Sequence, residues 1–345
     1  MEQDFDRWLQ ELPKVELHIH LEGAIPFSLA LQLAERNGYP LEQRFRDAWK
    51  TDFQFHSFKD FIDHFVQLST CYRTRDDFVK VIGEFLRIQE DQNIRYCEVF
   101  FTPTLHFAQK GLPYTDLLQA VEEGIQASGT QVELSLIADI SRHSSMELAD
   151  LTLRFLSEHP SERVIGLGLG GSEEGYPPEM FQSHFDRARE LGLHCVAHAG
   201  ETAGPDYVRN AVEVLRVSRV GHGVRAMEDE SVLELIKEHQ ISLEICPTSN
   251  IRLGIFPSYN AHPLRFFWER EISVTLNSDD PAFFRSNLQN ELRVAHDHFG
   301  FSRAELIRLL LNAVDVSFAP TVMKKILRRE IEDYARQSGV EWKTG

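Results

Sequence analysis

The stretch RVGHGVRAMEDESVLELIKEHQISLEICP, residues Arg219 to Pro247, decides the fold because it contains one complete strand–helix–strand unit. The apolar runs at 219–223 and 242–247 are short and bounded by glycine or proline, which is typical of buried strands. Between them, Val232, Leu235 and Ile236 recur at helical spacing within the segment 231–240. Two strands joined by one amphipathic helix predict a βαβ unit and therefore a parallel sheet.

The same alternation extends along the whole chain, where apolar runs are separated by longer amphipathic segments. The predicted strands lie at residues 15–20, 96–102, 132–140, 164–169, 194–199, 219–223, 242–247 and 273–278. Strands that alternate with helices in this number predict a closed (β/α)8 TIM barrel. An open, doubly wound sheet is the alternative, but no G-x-G-x-x-G motif follows the first strand.

The domain organisation is predicted to be simple. The chain of 345 residues has no linker rich in glycine, serine or proline, so we expect a single domain over 1–345 with a short N-terminal helix and C-terminal helices. The connection after the first strand, residues 23–95, is too long for one helix and places Phe58, Phe61 and Phe65 on one helical face. Long insertions of this kind lie at the active face of a barrel, so this helical insertion is a candidate lid.

Composition excludes several classes of partner. The formal net charge of -17 offers no electrostatic attraction for nucleic acid or anionic lipid. The four cysteines form no C-x-x-C pair, which argues against a disulfide framework and against a thiolate zinc site. No apolar run approaches the roughly 20 residues of a membrane span, and the N-terminus does not resemble a signal peptide. We therefore expect a cytoplasmic protein; no pattern indicates its oligomeric state.

Ligand-type side chains follow several predicted strands at their carboxyl ends, where (β/α)8 barrels carry their reactive groups. The first strand ends with His18 and His20, which share a face because side chains alternate along a strand. The fifth strand ends with His198, followed by Glu201, and the sixth ends with His222 between two glycines. Each residue alone has an ordinary structural explanation, but together they predict a metal site at one rim of the barrel.

The eighth strand ends with two adjacent carboxylates, Asp279 and Asp280, before Pro281. Alone, this motif is typical of a turn. Beside the histidines it gains a chemical meaning, because neutral imidazoles and one carboxylate leave a divalent cation with net positive charge and Lewis acidity. Asp279 would stay ionised as a ligand, while Asp280 would point elsewhere and face a substrate. This ligand set favours one Zn²⁺ per chain, with iron or manganese as alternatives.

Five ordered motifs resemble the adenosine deaminase family of the amidohydrolase superfamily. They are ELHIHLEGA, HAGE, GHG, CPTSN and NSDDP, between about Pro13 and Pro281. The resemblance implies zinc-dependent hydrolysis of an adenine ring at C6, with release of ammonia. By similarity, the zinc ligands are His18, His20, His198 and Asp279.

The resemblance also implies roles for residues around the metal. Glu201 would protonate ring N1 as a general acid, a contribution of about 10²–10⁴-fold in rate. His222 would orient the attacking water and take its proton. Asp280 would hydrogen-bond ring N7, and the backbone N–H of Gly171 would bind N3. The expected substrate contacts are Gly171, Asp280, Glu22 and His20.

Departures from the family pattern bear on the substrate. Enzymes acting on free adenine usually resemble DSSE and DHG where this chain has GGSE, from Gly170 to Glu173, and GHG. This difference favours a nucleoside over free adenine as the substrate. The usual HLDGA is HLEGA here, and the longer Glu22 predicts a changed site for the 5′ end of the ribose. The predicted substrate is adenosine or a 5′-modified adenosine such as aminodeoxyfutalosine, with free adenine as the alternative.

Two further hypotheses come from other classes. A barrel hydrolase that cleaves an amide or ester would use the same metal, but it gives no reason for both Glu201 and Asp280. A catalytically inactive binding protein on the same scaffold predicts the loss of at least one ligand, yet every expected metal and acid position is filled.

Overall fold

A computed structural model describes residues 2–51 and 55–342 of the chain. Its strands are β1 Lys14–His20, β2 Ile94–Phe101, β3 Glu133–Ser141, β4 Val164–Gly170, β5 His194–Ala199, β6 Arg219–His222, β7 Ser242–Ile245 and β8 Val274–Leu276. Every predicted strand is confirmed, with ends that differ by at most two residues from the predicted bounds.

The strands form one parallel sheet in the order β1 to β8. Its two edges meet where Ile19 and Asp279 form a parallel bridge. The His20 N–H donates to the Asp279 carbonyl at 2.8 Å, and the Asp279 N–H donates to the His18 carbonyl at 3.1 Å. The side-chain oxygen of Asn277 adds hydrogen bonds from the N–H groups of Leu17 and His18. The sheet therefore closes into the predicted (β/α)8 barrel, and the open sheet is excluded.

Helices surround the barrel and cover both of its ends. Their bounds are α1 Glu2–Glu11, α2 Phe27–Arg36, α3 Gln43–Lys50, α4 Phe58–Thr70, α5 Arg75–Asp91, α6 Pro103–Lys110, α7 Tyr114–Ser128, α8 Met146–Glu158, α9 Gln182–Glu190, α10 Pro205–Glu213, α11 Glu230–Glu238, α12 Pro247–Arg252, α13 Leu264–Glu269, α14 Pro281–Phe284, α15 Leu288–Phe299, α16 Arg303–Val316 and α17 Thr321–Gln337. Among the described residues, no helix is both long and apolar enough to cross a membrane.

The long connection after β1 contains α2 to α5, as the sequence predicted for a helical insertion. Helix α4 starts at the N-cap Ser57, whose side chain accepts a hydrogen bond from the Asp60 N–H. The ring of Phe61 packs against that of Phe284 in α14, with centroids 5.4 Å apart. This contact holds the apolar face of α4 against the loop that follows β8. Movement of the insertion as a lid stays a prediction.

Candidate active site

Side chains from three strands converge at the carboxyl end of the barrel. The Nε2 atom of His20 lies 3.2 Å from Nε2 of His198 and 3.4 Å from Oδ1 of Asp279. Nε2 of His18 lies 3.5 Å from the same Asp279 oxygen. All four side chains are buried. Three of the predicted ligands, His18, His198 and Asp279, have ligand atoms within 4.8 Å of one another, and His222 joins this group. His20 adjoins it through His198 and Asp279, and the choice of ligands stays a prediction.

Space for this cluster depends on the backbone around it. A Cβ atom at Gly221 of β6 would lie 2.8 Å from Cε1 of His18, so a larger residue there would displace the imidazole. His222 and Asp279 have φ angles of 57° and 62°, the left-handed region that non-glycine residues rarely adopt. The sharp turn at each strand end directs these two side chains toward the centre of the barrel.

The tautomers of two imidazoles are fixed by their outer contacts. Nδ1 of His18 lies 2.7 Å from Oε2 of Glu244, and Nδ1 of His198 lies 3.1 Å from the Leu169 carbonyl. Both nitrogens donate, because their partners only accept. The Nε2 atoms of His18 and His198 are therefore the ones that face the cluster. Nε2 of His18 is buried and makes no geometrically good hydrogen bond within the described residues, its contact with Oδ1 of Asp279 being 3.5 Å long. Converging nitrogens and a carboxylate are the arrangement that binds a divalent metal, so these residues fit the ion that the fold implies.

The electrostatics also favour a cation. Although burial opposes it, hydrogen bonds to Asp279 and Glu244 raise the pKa of His18 to about 10. Burial lowers the pKa of His20 to about 4 and that of His198 well below its usual range. The pKa of Asp279 is also well below its usual range, since the bond from His18 and the other imidazoles outweigh the effect of burial. His20 and His198 are therefore neutral beside an ionised Asp279, whereas His18 holds a second proton that a metal ion would displace.

A chain of buried charges supports the cluster from below. The second carboxylate oxygen of Glu244 accepts a hydrogen bond from Nε of Arg219, and a guanidinium nitrogen of Arg219 donates to Glu98. All three side chains are fully buried within the barrel. Sequence analysis did not identify Glu244 as a functional residue, because a single polar residue in a strand pattern carries no specific signal.

The imidazole of His222 is oriented by a relay of side chains that begins at a backbone donor. The Leu264 N–H donates to Nδ1 of His262 at 3.2 Å, so Nε2 of His262 carries the proton and donates to Oδ1 of Asn250 at 3.0 Å. The amide nitrogen of Asn250 then donates to Nδ1 of His222 at 3.2 Å. Since burial lowers the pKa of His222 to about 3, the ring is neutral and its single proton is on Nε2.

This tautomer changes the role expected for His222. Its Nε2–H group points into the cluster, 3.7 Å from Oε1 of Glu201 and 3.8 Å from Oδ2 of Asp279. A nitrogen that already holds a proton can donate a hydrogen bond but cannot accept a second proton. The role of His222 as the group that takes a proton from water requires the other tautomer and stays a prediction. Asn250 lies in the CPTSN motif, but the sequence did not reveal its contact with His222.

Two carboxyl groups face the cavity beside the cluster. Burial, followed by the charge of Asp279, raises the pKa of Glu201 and of Asp280 well above the usual range. Oε1 of Glu201 and Oδ1 of Asp280 are buried and have no hydrogen-bond partner in the part of the chain that the structure describes. The loop of Glu201 is fixed by Glu173, which accepts a hydrogen bond from the Thr202 N–H at 2.8 Å. Both groups can therefore donate a proton or a hydrogen bond to a bound molecule.

The cavity above the cluster has a polar floor and apolar walls. Its empty space is about 960 Å³, including the part that is open to solvent. The walls come from the insertion and from neighbouring loops, chiefly Phe58, Phe61, Ile62, Phe65, Leu105 and Leu253. This space accommodates a purine base and also a nucleoside, so the volume does not distinguish the two.

The predicted substrate contacts differ in where they lie. His20, Gly171 and Asp280 line the cavity. Glu22 is fully buried outside that lining, and its Oε1 accepts hydrogen bonds from the Thr102 N–H at 2.8 Å and from His106 at 2.9 Å. Oε1 thus joins β1 to the start of α6, while Oε2 is buried with no hydrogen-bond partner among the described residues, and the contact of Glu22 with the 5′ end of a ribose stays a prediction.

Fold and site together are those of a metal-dependent hydrolase. A match to the family model for adenosine deaminase covers residues 13–334, almost the whole chain. The chain therefore belongs to the adenosine deaminase family and is a hydrolase that acts on C–N bonds.

Named relatives agree with this family. The chain is 37% identical over 314 residues to an adenine deaminase of Ectopseudomonas mendocina, covering 90% of this chain and 99% of the relative. It is 34% identical over 332 residues to an adenine deaminase of Vibrio parahaemolyticus, covering 96% of this chain and 98% of that relative.

Solved structures agree as well. The adenine deaminase of Arthrobacter aurescens superimposes with a TM-score of 0.88 at 30% identity, over 94% of this chain and 99% of that one. An amidohydrolase of Burkholderia ambifaria with bound Zn has the same TM-score at 26% identity, over 97% and 93%.

Proposed function

We propose that this protein is an adenine deaminase, which converts adenine and water to hypoxanthine and ammonia. The observation that carries the proposal is similarity along nearly the full chain, at 33–37% identity, to relatives named adenine deaminases. The comparisons favour this alternative over the nucleoside that the sequence pattern suggested.

We assign the metal as one Zn²⁺ held by His18, His20, His198 and Asp279. Imidazole and carboxylate ligands suit zinc, and the similar amidohydrolase of Burkholderia ambifaria contains Zn. A divalent ion held by these residues would lower the pKa of water toward about 7 and so would supply the nucleophile for C6.

The remaining chemistry belongs to side chains that line the cavity. Glu201 holds a proton through its raised pKa and gives it to N1 of the ring, which makes C6 electrophilic. The Nε2–H group of His222 donates a hydrogen bond to the oxygen that attacks C6 and keeps that oxygen in position. Asp280 hydrogen-bonds N7 and fixes the ring orientation.

A C6–O bond forms as N1 takes the Glu201 proton. The hydroxyl proton then passes through the Glu201 carboxylate to the exocyclic nitrogen, the C6–N bond breaks as the C6 carbonyl forms, and ammonia leaves. The proton that water lost returns Glu201 to its acid form.

The apolar walls serve the same reaction. Phe61 and Phe65 of α4 lie above the polar floor, where a flat heterocycle fits between aromatic rings and metal cluster. Exclusion of water by these walls strengthens the hydrogen bonds of Glu201 and Asp280 to the ring. We further propose that the whole chain forms one such domain. The four cysteines are all unpaired and buried, which supports a cytoplasmic location.

Ammonia release from Zn²⁺-loaded protein tests the proposal, with adenine, adenosine, 5′-modified adenosines and AMP as substrates. We expect kcat/KM for adenine to exceed that for every nucleoside by at least about 10²-fold, because a base-specific site leaves polar groups unpaired beside a nucleoside. If adenosine or a 5′-modified adenosine were turned over faster than adenine, that nucleoside would be assigned as the substrate instead of adenine. No turnover of any purine, with full zinc content, would favour the inactive binding protein.

A further inference from the structure

One buried carboxyl group lines the cavity without a role in the reaction described above. Asp139 lies near the carboxyl end of β3, and its side chain is in the cavity wall with the residue only 4% exposed. Its Oδ1 atom has no hydrogen-bond partner among the described residues. The nearest cation, Arg142, donates instead to the Leu169 and His198 carbonyls. A buried polar atom without a partner in a ligand cavity points to a partner on the ligand.

Two glycines of β4 make room for this carboxyl group. A Cβ atom on Gly168 would overlap Oδ1 of Asp139, and a Cβ atom on Gly170 would overlap Oδ2. Any side chain at either position would displace the carboxyl group. Gly170 opens the GGSE stretch, where enzymes acting on free adenine usually have aspartate. In this chain a carboxyl group occupies the same space, but it comes from the neighbouring strand.

The proposed ring orientation determines which purine atoms this group meets. C6 faces the metal cluster, N1 faces Glu201 and N7 faces Asp280, so N3 and N9 lie on the far side of the ring from C6. Asp139 lies in the cavity wall formed by β3 and β4, where its carboxyl group packs against Gly168 and Gly170 and no hydrogen bond joins it to Glu201 or Asp280 among the described residues. Its carboxyl group is therefore positioned to contact the N3 and N9 edge of the ring.

Free adenine presents two complementary groups on that edge. N3 accepts a hydrogen bond, and N9 in the 9H form carries a proton that it can donate. A carboxylic acid matches this pair, because its O–H donates to N3, in place of the Gly171 N–H that the sequence predicted there, while its carbonyl oxygen accepts from N9–H. In a nucleoside, N9 is bonded to the sugar and offers no donor, so one oxygen of the carboxyl group would stay unpaired and the sugar would collide with it.

We propose that Asp139 is the specificity-determining residue of this site, and that its carboxyl group binds the N3/N9–H edge of free adenine and rejects nucleosides. This inference rests on the proposed function and names the residue that selects its substrate. Burial raises the pKa of Asp139 to about 8, which agrees with a neutral acid able to donate to N3.

The test removes hydrogen-bonding groups from Asp139 by substitution and from adenine by the use of analogues. Wild-type protein, Asp139→Leu and Asp139→Asn are assayed for ammonia release with adenine, 3-deazaadenine and 9-methyladenine, which lack N3 or N9–H. We expect wild-type protein to prefer adenine over each analogue by about 10²-fold or more in kcat/KM. In Asp139→Leu, activity on adenine should fall about 10²-fold and both preferences should shrink to less than about 10-fold. Asp139→Asn should keep most activity, because its amide also offers one donor and one acceptor.

The controls separate this inference from a general loss of structure. Glu147→Gln, on the exposed first turn of α8, should match wild-type protein with all three compounds. Unchanged preferences in Asp139→Leu would overturn the inference while leaving adenine deamination intact. If Asp139→Leu does not fold, the wild-type protein and Asp139→Asn decide the outcome. Equal turnover of adenine and 9-methyladenine by wild-type protein overturns the inference. A preference for adenine over both analogues that Asp139→Asn retains in full supports the inference. Turnover of nucleosides but not of adenine by wild-type protein would instead refute the proposed function.

Discussion

Replacement of Glu244 by glutamine tests how far the metal site depends on a residue that does not touch the metal. The Glu244 carboxylate accepts a hydrogen bond from Nδ1–H of His18, with 2.7 Å between Oε2 and Nδ1. This bond leaves Nε2 of His18 free to bind an ion. Removing such an outer carboxylate typically weakens metal affinity by about 10–100-fold. This corresponds to about 1.4–2.7 kcal/mol of binding free energy. Glutamine keeps the size of the side chain and an oxygen for Arg219, so we expect the fold to persist.

The measurement is a Zn²⁺ titration of metal-free protein against a competing chelator of known affinity. Glu244→Gln should bind 10–100-fold more weakly than wild-type protein, by the same reasoning. The matched control is Glu238→Gln, on the exposed surface of α11, which should bind as wild type does. Circular dichroism of both metal-free variants shows whether they are folded. A folded Glu244→Gln protein with wild-type zinc affinity would refute the reasoning that this carboxylate orients His18.

Four further predictions concern the site and its surroundings. Glu201→Gln should lower kcat by at least about 10²-fold with unchanged zinc content, because only the proton donor is lost; wild-type kcat would reject the role. Asp279→Ala should abolish stoichiometric zinc binding, measured by metal analysis. If this variant retained its full zinc content, Asp279 would not be a zinc ligand. Asn250→Asp should move the His222 proton to Nδ1, seen in ¹⁵N imidazole shifts, and lower kcat by about 10²-fold; an unchanged tautomer would contradict the relay. Glu22→Asp should lower stability by about 1–3 kcal/mol in chemical denaturation without altering the preference between adenine and adenosine.

Much of the fold was predictable because its signals are local. Each βα unit has a short apolar strand and an amphipathic helix, as in 219–247, and counting such units gives a barrel. The metal cluster was predictable for a related reason: in this fold the ends of all strands meet at one rim, so His198 and Asp279 could be placed together without any contact information. The closing bridge between β1 and β8 was not visible in any single segment.

What sequence could not predict is the direction of side chains outside the strand ends. Glu22 follows His20 by two residues, yet one oxygen of its carboxylate binds the Thr102 N–H. Glu244 and Asp139 lie in ordinary strands, and their roles arise from partners on other strands. Such contacts depend on the register and shear of the closed barrel, which the pattern of apolar residues does not specify.

The adjacent carboxylates Asp279 and Asp280 show how barrel closure and site assembly depend on the same bonds. A non-glycine residue with φ near 62° costs about 1–3 kcal/mol and persists only where its surroundings hold it. Here the backbone N–H and carbonyl of Asp279 both bond to β1, at His18 and His20. These bonds close the sheet and also keep the left-handed turn that sends one carboxylate to the imidazoles and the other to the cavity. Because a metal ion would bind His18, His20 and Asp279 across the same seam, its binding energy would stabilise the closed barrel itself, so the weakest junction of the sheet is the one that the ion strengthens.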